Sequence, residues 1–288
     1  MSILTKFVPK FKAVDPILLK KFQNELGNIE KLVVLTGAGI STESGIPDYR
    51  SEEVGLYERS NHRPTTHQDF MKHEHNRRRY WARNYLAWPR FSSAECNKIH
   101  YSIANWEGDE RLLWLITQNV DGLHTKAGSQ KLTELHGSGH RVRCMGCGTV
   151  TSRHDFQEVI ADHNPGWFER HTVGELAPDG DVFITPGSDE DFIVPNCAEC
   201  GGIVKTDVVF FGDNVPRQTV DFLYGKMDEC DGLLVLGSSL SVMSGYRFAY
   251  HAHLQNKPVL IINIGATRAD HLACVKLSTK AGDVIKII

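Results

Sequence analysis

Residues 112–121 read Leu-Leu-Trp-Leu-Ile-Thr-Gln-Asn-Val-Asp, an apolar run followed directly by polar side chains. The first five residues are typical of a fully buried strand. Open α/β sheets bind ligands just beyond the carboxyl ends of their strands, so Gln118, Asn119 and Asp121 are expected in a binding crevice. His136 follows seventeen residues after Asn119. We expect the chemistry of the protein to lie in the stretch between these polar groups and this histidine.

Other apolar runs alternate with amphipathic stretches along the chain. Buried strands are predicted at 31–36, 208–211, 232–236 and 258–262, with a further strand at 284–288. Helices are predicted at 16–29, at 71–88 with a stop before Pro89, and at 95–106, 216–229 and 244–256. This alternation predicts an α/β fold, a Rossmann-like doubly wound parallel sheet. Residues 1–12 are predicted to be a loose arm.

A glycine turn, Gly37-Ala38-Gly39, follows the first predicted strand directly. A strand that leads into such a turn is the start of a nucleotide-binding βα unit. The dehydrogenase pattern Gly-x-Gly-x-x-Gly would require glycine at position 42, where Thr42 stands. The polar loop 41–50 has glycine and proline hinges, which are typical of a lid that orders over a ligand.

The composition is that of an ordinary globular chain. The 288 residues allow one large domain, or a domain with an inserted module, and 41% are hydrophobic and 23% charged. The net charge of −3 predicts no attraction to nucleic acid, and no run approaches the roughly 18 apolar residues of a membrane helix. We therefore expect neither a nucleic-acid nor a membrane partner. The first ten residues lack the apolar core of a secretory signal.

Four of the seven cysteines form two Cys-x-x-Cys pairs, Cys144 with Cys147 and Cys197 with Cys200. Four thiolates are the ligand set of a closed, structural zinc site, which leaves no position for a catalytic metal. The insert 148–196 exceeds the usual spacing of about 15–20 residues, at a loop-closure cost of roughly 1 kcal/mol. A redox dithiol and a disulfide are the alternatives, and a glycine after each pair favours zinc. We expect the insert to pack near the cleft as a loop.

Together these motifs resemble the sirtuins, the NAD-dependent protein-lysine deacylases. The matching segments occur in the family order within about residues 30–288, at 37–41, 45–50, 117–121, 135–137, the four cysteines, 208–212, 237–240 and 263–265. Two features depart from the family pattern. Many members have proline in the middle of Lys205-Thr206-Asp207, and the cysteine spacing is long.

The resemblance implies a large Rossmann-like domain with a smaller inserted zinc-binding and helical module. After an arm and helix at 1–30, the catalytic domain would span 31–288, with Rossmann-like parts at 31–50, 107–137 and 205–288. The smaller module would comprise 51–106 and 138–204. The implied cosubstrate is NAD, which is consumed, and the implied partners are acyl-lysine proteins. Similarity to mitochondrial members implies the mitochondrial matrix, and the oligomeric state is not indicated.

The resemblance also implies roles for individual residues. Asn119 and Asp121 would hold the nicotinamide carboxamide, the acyl oxygen would attack the anomeric carbon to form an alkylimidate, and His136 would be the general base for a ribose hydroxyl. The other implied NAD contacts are Gly37, Ala38, Gly39, Ile40, Glu43, Asp48, Tyr49, Arg50, Tyr57, Gln118, Val120, Gly237, Ser238, Ser239, Asn263, Ile264, Gly265 and Ala281. The implied peptide channel is edged by Phe210, Phe211 and Gly212. The alternative for His136 is a hydrogen-bonded structural histidine.

Tyr80 and Arg83 lie three residues apart on a predicted helix and so share a face. In some mitochondrial sirtuins a Tyr-x-x-Arg pair accepts acidic acyl-lysines, since a guanidinium grips a carboxylate in two places. Glutaryl or methylglutaryl groups are therefore expected, while the alternative is a basic helix surface beside Arg77-Arg78-Arg79. The resemblance also implies cleavage of lipoyl-lysine and ADP-ribosyl transfer. An NAD-dependent dehydrogenase and a non-catalytic NAD- and zinc-binding module are the two competing interpretations.

Overall fold

Two sheets organise the computed structural model, which describes residues 6–59, 64–172, 174 and 177–288. The strands are β1 (Leu32–Thr36), β2 (Leu112–Thr117), β3 (Leu132–Glu134), β4 (Gly137–Cys144), β5 (Val150–Ser152), β6 (Val204–Val208), β7 (Gly232–Leu236), β8 (Val259–Ile262) and β9 (Val275–Leu277). The larger sheet is parallel, in the order β3-β2-β1-β7-β8-β9. Because the order reverses between β1 and β7, this is the predicted doubly wound sheet.

Helices cover both faces of the larger sheet and fill the smaller module. They are α1 (Pro16–Gly27), α2 (Leu56–Arg59), α3 (His67–Lys72), α4 (Glu74–Ser92), α5 (Lys98–Gly108), α6 (Leu123–Lys126), α7 (Arg153–His163), α8 (Arg217–Glu229), α9 (Met243–Leu254) and α10 (Ala281–Val284). Short 3-10 turns occupy Ala38–Ile40, Thr42–Ser44 and Asp270–Leu272. Within the described ranges, no helix combines the length and apolarity that crossing a membrane requires.

Both faces of the central strands are buried, which explains their unbroken apolar sequence. Every residue of β1, β7 and β8 is buried. Side chains alternate between faces, so Val34 packs with Phe22 of α1 and Ile103 of α5, whereas Val33 packs with Leu223 of α8 and other residues of the opposite core. The helices predicted at 16–29, 216–229 and 244–256 correspond to α1, α8 and α9.

A three-stranded antiparallel sheet, in the order β5-β4-β6, forms the smaller module with α3, α4 and α7. The predicted stop before Pro89 is wrong, because α4 begins at Glu74 and continues through Pro89 to Ser92. Proline has no amide hydrogen for the carbonyl four residues earlier. That carbonyl, of Tyr85, instead accepts a hydrogen bond of 3.0 Å from Gln157 Nε2 of α7.

Two predicted strands of the larger sheet are wrong. The segment 208–211 follows β6, which pairs with β4 in the smaller sheet, and only Val208 of this segment belongs to a strand. The segment 284–288 ends α10 and continues as a turn, so the last strand of the sheet is β9. Short apolar runs have no periodicity that distinguishes a strand from a buried turn or helix, which explains both errors.

The arm and the insert are more ordered than the sequence predicts. Residues 1–5 of the arm lie outside the described residues, but Phe7 is buried, with the guanidinium of Arg59 5.0 Å from its ring centroid. The insert 148–196, predicted as a loop, contains β5 and α7. Within its described residues it also buries Trp167, whose ring contacts Phe192. The domain limits of 1–30 and 31–288 stay a prediction.

Candidate active site

The loops after β1 and β7 cross where the strand order reverses. Gly37 N donates to Leu236 O at 3.1 Å, and Gly39 N donates to Gly237 O at 2.9 Å. A Cβ atom on Gly39 would lie 2.8 Å from the Gly237 carbonyl oxygen, which is closer than such atoms pack. Gly237 itself has a left-handed φ of 57°. Glycine is therefore required here by the contact between the two backbones.

A cavity of about 690 Å³ lies over this crossing. Its wall includes most of the predicted NAD contacts, namely Gly37, Ala38, Gly39, Asp48, Tyr49, Arg50, Gln118, Asn119, Val120, Gly237, Ser238, Ser239, Asn263, Ile264, Gly265 and Ala281. His136, Tyr80, Phe210, Phe211 and Gly212 line the same cavity. The volume, the glycine crossing and the position at the topological switch point all fit a bound dinucleotide.

Five predicted residues lie outside this wall, as far as the described residues define it: Ile40, Glu43, Tyr57, Asp121 and Arg83. Ile40 is fully buried. Glu43 faces Lys98 and Lys280 at 3.8 and 3.7 Å, and the ring of Tyr57 packs on the ring of Tyr49 at 5.6 Å. The NAD contacts of Ile40, Glu43, Tyr57 and Asp121 and the acyl contact of Arg83 therefore stay predictions.

Ser41 joins Asn119 to Asp121 at the end of β2. Its hydroxyl donates to Asp121 Oδ2 at 2.6 Å and accepts from Asn119 Nδ2 at 3.1 Å. Asn119 Nδ2 also donates to Gly37 O at 3.2 Å. Both amide hydrogens of Asn119 are thus used, which leaves its amide oxygen to accept from a ligand. Burial raises the pKa of the Asp121 carboxyl above its usual 3.8, although the Ser41 hydroxyl opposes this shift.

His136 is held by both ring nitrogens. Nδ1 lies 2.9 Å from the carbonyl oxygen of Gln118, and Nε2 lies 2.8 Å from the hydroxyl of Ser244 in the first turn of α9. A carbonyl oxygen only accepts, so Nδ1 carries the hydrogen in the neutral ring and Nε2 presents its lone pair. Burial lowers the pKa of the imidazole below its usual 6.5. The ring is therefore a neutral acceptor at physiological pH.

The predicted acyl pair lies on one face of α4. The Tyr80 hydroxyl bonds to Thr206 Oγ1 at 2.6 Å. Arg83 Nη2 lies 2.9 Å from Asp181 Oδ2 and 3.1 Å from Thr65 Oγ1, and both of these residues line the cavity. The alternative of an exposed basic helix surface is wrong for Tyr80 and Arg83, because both are buried.

The four cysteines of the two pairs converge at the end of the smaller sheet. Their sulfur atoms all lie within 4.8 Å of one another, with 3.5 Å between Cys144 and Cys200 and 3.8 Å between Cys147 and Cys197. Zinc bound tetrahedrally by thiolates at about 2.3 Å places its sulfurs about 3.8 Å apart. The set therefore fits a structural zinc ion, and the alternative of a disulfide is wrong because all four thiols are free.

Sequence reasoning assigned no role to Ser41, Ser244 or Asp181. Ser41 belongs to the segment 37–41, which matches the family pattern, so the sequence contained a signal for it. Ser244 comes from the next helix after β7, and Asp181 comes from the long insert. Neither residue carries a sequence signal that connects it to this cavity, because both contacts depend on the packing of distant segments.

The fold and the site define an α/β enzyme with a dinucleotide cleft and a four-cysteine metal module. The model of the Sir2 family matches residues 37–244. The chain belongs to the Sir2 family.

Relatives are similar over nearly the whole chain. It is 53% identical over 282 residues to the NAD-dependent protein deacylase sir-2.2 of Caenorhabditis elegans, covering 98% of both chains. It is 51% identical over 283 residues to the NAD-dependent protein lipoamidase sirtuin-4, mitochondrial, of Homo sapiens, covering 98% of this chain and 89% of that one. A solved structure described as "Sir2-p53 peptide-NAD+" superimposes with a TM-score of 0.71 at 26% identity, covering 93% of this chain and 95% of the other.

These findings confirm the predicted sirtuin-type, NAD-dependent protein deacylase. They favour it over the two competing interpretations, a dehydrogenase and a non-catalytic binding module. NAD is the cosubstrate of this class, and the four-cysteine cluster is suited to zinc. Protein acyl-lysine is accordingly the class of substrate.

Proposed function

We propose that the chain removes acyl groups from protein lysine side chains, transferring them to the ADP-ribose part of NAD and releasing nicotinamide. The observation that carries this proposal is the single cavity shared by Asn119, His136 and the crossing glycine loops. NAD, when bound, supplies the ribosyl carbon that accepts the acyl oxygen. The remaining steps depend on side chains of this protein.

Asn119 and Asp121 are proposed to bind the nicotinamide carboxamide. The free amide oxygen of Asn119 is suited to accept from the carboxamide NH₂. Asp121 is not on the described cavity wall, so its contribution is proposed to pass through Ser41, which bonds to both residues. Because this arrangement fixes the carboxamide, it also sets the angle between the nicotinamide ring and the ribose.

His136 is proposed as the general base. The Nδ1–H bond to Gln118 fixes the tautomer, and Nε2 is the atom that would take the proton from a ribose hydroxyl. The proton would then leave an imidazolium whose Nδ1–H still bonds to the carbonyl oxygen. The Ser244 hydroxyl occupies the position at Nε2 that this ribose hydroxyl would take. Arrival of the hydroxyl would therefore displace Ser244.

The acyl group is proposed to lie between Tyr80 and the edge formed by Phe210, Phe211 and Gly212, all of which line the cavity. Two acyl classes are proposed for this part of the cavity. An acidic acyl group, such as glutaryl or methylglutaryl, would bind Arg83 through its carboxylate. A neutral, bulky group such as lipoyl would need no charge partner, and it is the class in the name of the Homo sapiens relative.

Similarity to mitochondrial relatives supports the mitochondrial matrix as the compartment. The proposed activity is tested by mass spectrometry of acyl-lysine peptides incubated with the protein and NAD. We expect equal amounts of free nicotinamide and deacylated peptide, an acylated ADP-ribose product, and no NADH absorbance. Deacylation without NAD, or NAD consumption without deacylation, would contradict the proposal.

A further inference from the structure

A buried ion pair joins α4 to the long insert at the acyl end of the cavity. The side chains of Arg83 and Asp181 are only 8% and 5% exposed, and Nη2 lies 2.9 Å from Oδ2. Asp181 itself lines the cavity, as does Thr65, the second partner of the same nitrogen. A carboxylate of this chain therefore already binds the guanidinium that the acyl proposal assigns to the substrate.

The ion pair with Asp181 occupies Nη2 of Arg83, the nitrogen that a bidentate contact with a carboxylate requires. A guanidinium can bind a carboxylate through either of two pairs of nitrogen donors, Nη1 with Nη2 or Nε with Nη2. Nη2 carries two hydrogens, and its two partners are Asp181 and Thr65. A substrate carboxylate can therefore form a bidentate contact with Arg83 only by displacing one of these two partners from Nη2.

Charged groups of both signs lie around this end of the cavity among the described residues. Burial raises the pKa of the Tyr80 phenol, the carboxylates of Asp179 and Asp181 raise it further, and Arg153 opposes them. The buried ammonium of Lys205 also lies here, 4.1 Å from the ring centroid of Phe210. A neutral acyl group leaves the ion pair of Arg83 and Asp181 intact, whereas an acidic one brings a second carboxylate to Arg83 in a poorly solvated site, where such charges are costly.

We infer that Asp181 is a specificity-determining residue, which opposes acidic acyl-lysines at Arg83 and thereby favours neutral ones. The inference rests on the proposed deacylase function and deepens it. It assigns to the insert a direct effect on substrate choice, through one carboxylate that neutralises the arginine of the acyl site.

The test compares two peptides that differ only in charge. One carries glutaryl-lysine, and the other carries the same acyl chain with its distal carboxylate converted to a carboxamide. The ratio of kcat/KM for the acid to kcat/KM for the amide is measured in the wild-type protein and in Asp181→Asn. Because removing a negative charge beside Arg83 frees the guanidinium, we expect this ratio to rise at least about tenfold.

The matched control is Asp191→Asn, which changes another insert carboxylate, one that bonds to Trp167 Nε1 and Arg170 and does not line the described cavity. Its acid-to-amide ratio should equal that of the wild type. Thermal melting establishes that each variant is folded. Since Asp181→Asn leaves a buried arginine without its charge partner, Asp179→Asn provides a second variant, which should raise the ratio by a smaller factor.

An unchanged ratio in folded Asp181→Asn overturns the inference, as does an unchanged ratio in Asp179→Asn if the first variant does not fold. Either result leaves the deacylase proposal intact, because both peptides are still turned over. If the wild-type protein turns over neither these peptides nor acetyl- and lipoyl-lysine peptides in the presence of NAD, the proposed function itself fails.

Discussion

His136 Nδ1 lies 2.9 Å from the carbonyl oxygen of Gln118, and this contact determines which nitrogen of the imidazole faces the cavity as a base. The carbonyl is the one that directly precedes Asn119. The proposed base and the proposed nicotinamide-binding residue are thus positioned by the same few atoms of backbone beyond β2. A shift of that backbone would disturb both at once.

The first prediction concerns the pH dependence of activity. His136 acts as a base only when it is neutral, and burial lowers its pKa below 6.5. The neutral form therefore persists to a lower pH than in an exposed histidine. In a profile of kcat/KM against pH, we expect activity to fall on the acidic side with a midpoint below 6.5. A midpoint above 6.5 would contradict the environment described for this ring.

Replacing the base should separate binding from chemistry. We expect His136→Ala to lower acyl transfer by a factor of about 10²–10⁴, the usual contribution of a general base, with NAD affinity nearly unchanged. Turnover is measured by mass spectrometry and NAD affinity by calorimetry. The control is His154→Ala, since His154 is an exposed histidine at the start of α7. Wild-type turnover in His136→Ala would exclude the assigned role.

The glycine crossing predicts a steric effect. Gly39→Ala places a methyl group 2.8 Å from the Gly237 carbonyl oxygen, so we expect the two loops to separate and NAD affinity to fall at least tenfold. Gly27→Ala is the matched control, because its Cβ meets nothing within 4 Å at the end of α1. There the substitution should be neutral or stabilising. Equal NAD affinity in the two variants would refute the steric argument.

The four-cysteine cluster predicts one bound zinc ion per chain. Cys147→Ser should lower the zinc content measured by mass spectrometry of metals and should lower the melting temperature, because the metal contributes folding energy. Cys274→Ser tests a cysteine outside the cluster and should retain the full zinc content. A metal-free wild-type protein with an unchanged melting temperature would show that the cluster is not a zinc site.

Stability should fall in mildly acidic solution because of a buried histidine. Burial lowers the pKa of His100 to about 4, so the unfolded chain binds the proton more readily than the folded one. The contribution of this group is fully present above pH 6.5 and is lost as the pH falls towards 4, by about 3 kcal/mol in all. In denaturant titrations at a series of pH values, the free energy of unfolding should decrease less with falling pH in His100→Asn than in the wild type. If the free energy of unfolding depends on pH in the same way in both proteins, His100 is not the cause of the loss of stability.

Local sequence predicted the features that depend on neighbouring residues. The apolar runs of β1, β2, β7 and β8 are buried on both faces and so have a strong composition signal. The cysteine pairs and the polar ends of the strands were likewise visible in the sequence. These features sufficed for the parallel sheet and for most of the cavity wall.

The errors arose where distant segments meet. No local pattern shows that Val204–Val208 pairs with β4 instead of the larger sheet, or that Gln157 bonds to the carbonyl of Tyr85 and so allows α4 to pass Pro89. The same applies to Arg83 and Asp181, which are separated by 98 residues and form a buried ion pair. Such contacts are fixed by the packing of the whole module, which a single sequence does not display.

Strand β4 limits the positions at which this fold can accept inserted residues. It connects Gly137, directly after His136, to the metal-site residue Cys144, and its register against β6 shifts once, between Ser138 and Val142. One added residue between Val142 and Cys144, where the pairing with β6 is regular, would turn the side chain of Cys144 to the opposite face of the strand. Insertions are far less constrained between Cys147 and Cys197. The cluster fixes the two ends of this segment but not the number of residues between them. The 49-residue insert lies there, and from there it reaches the cavity without altering the spacing on which the base depends.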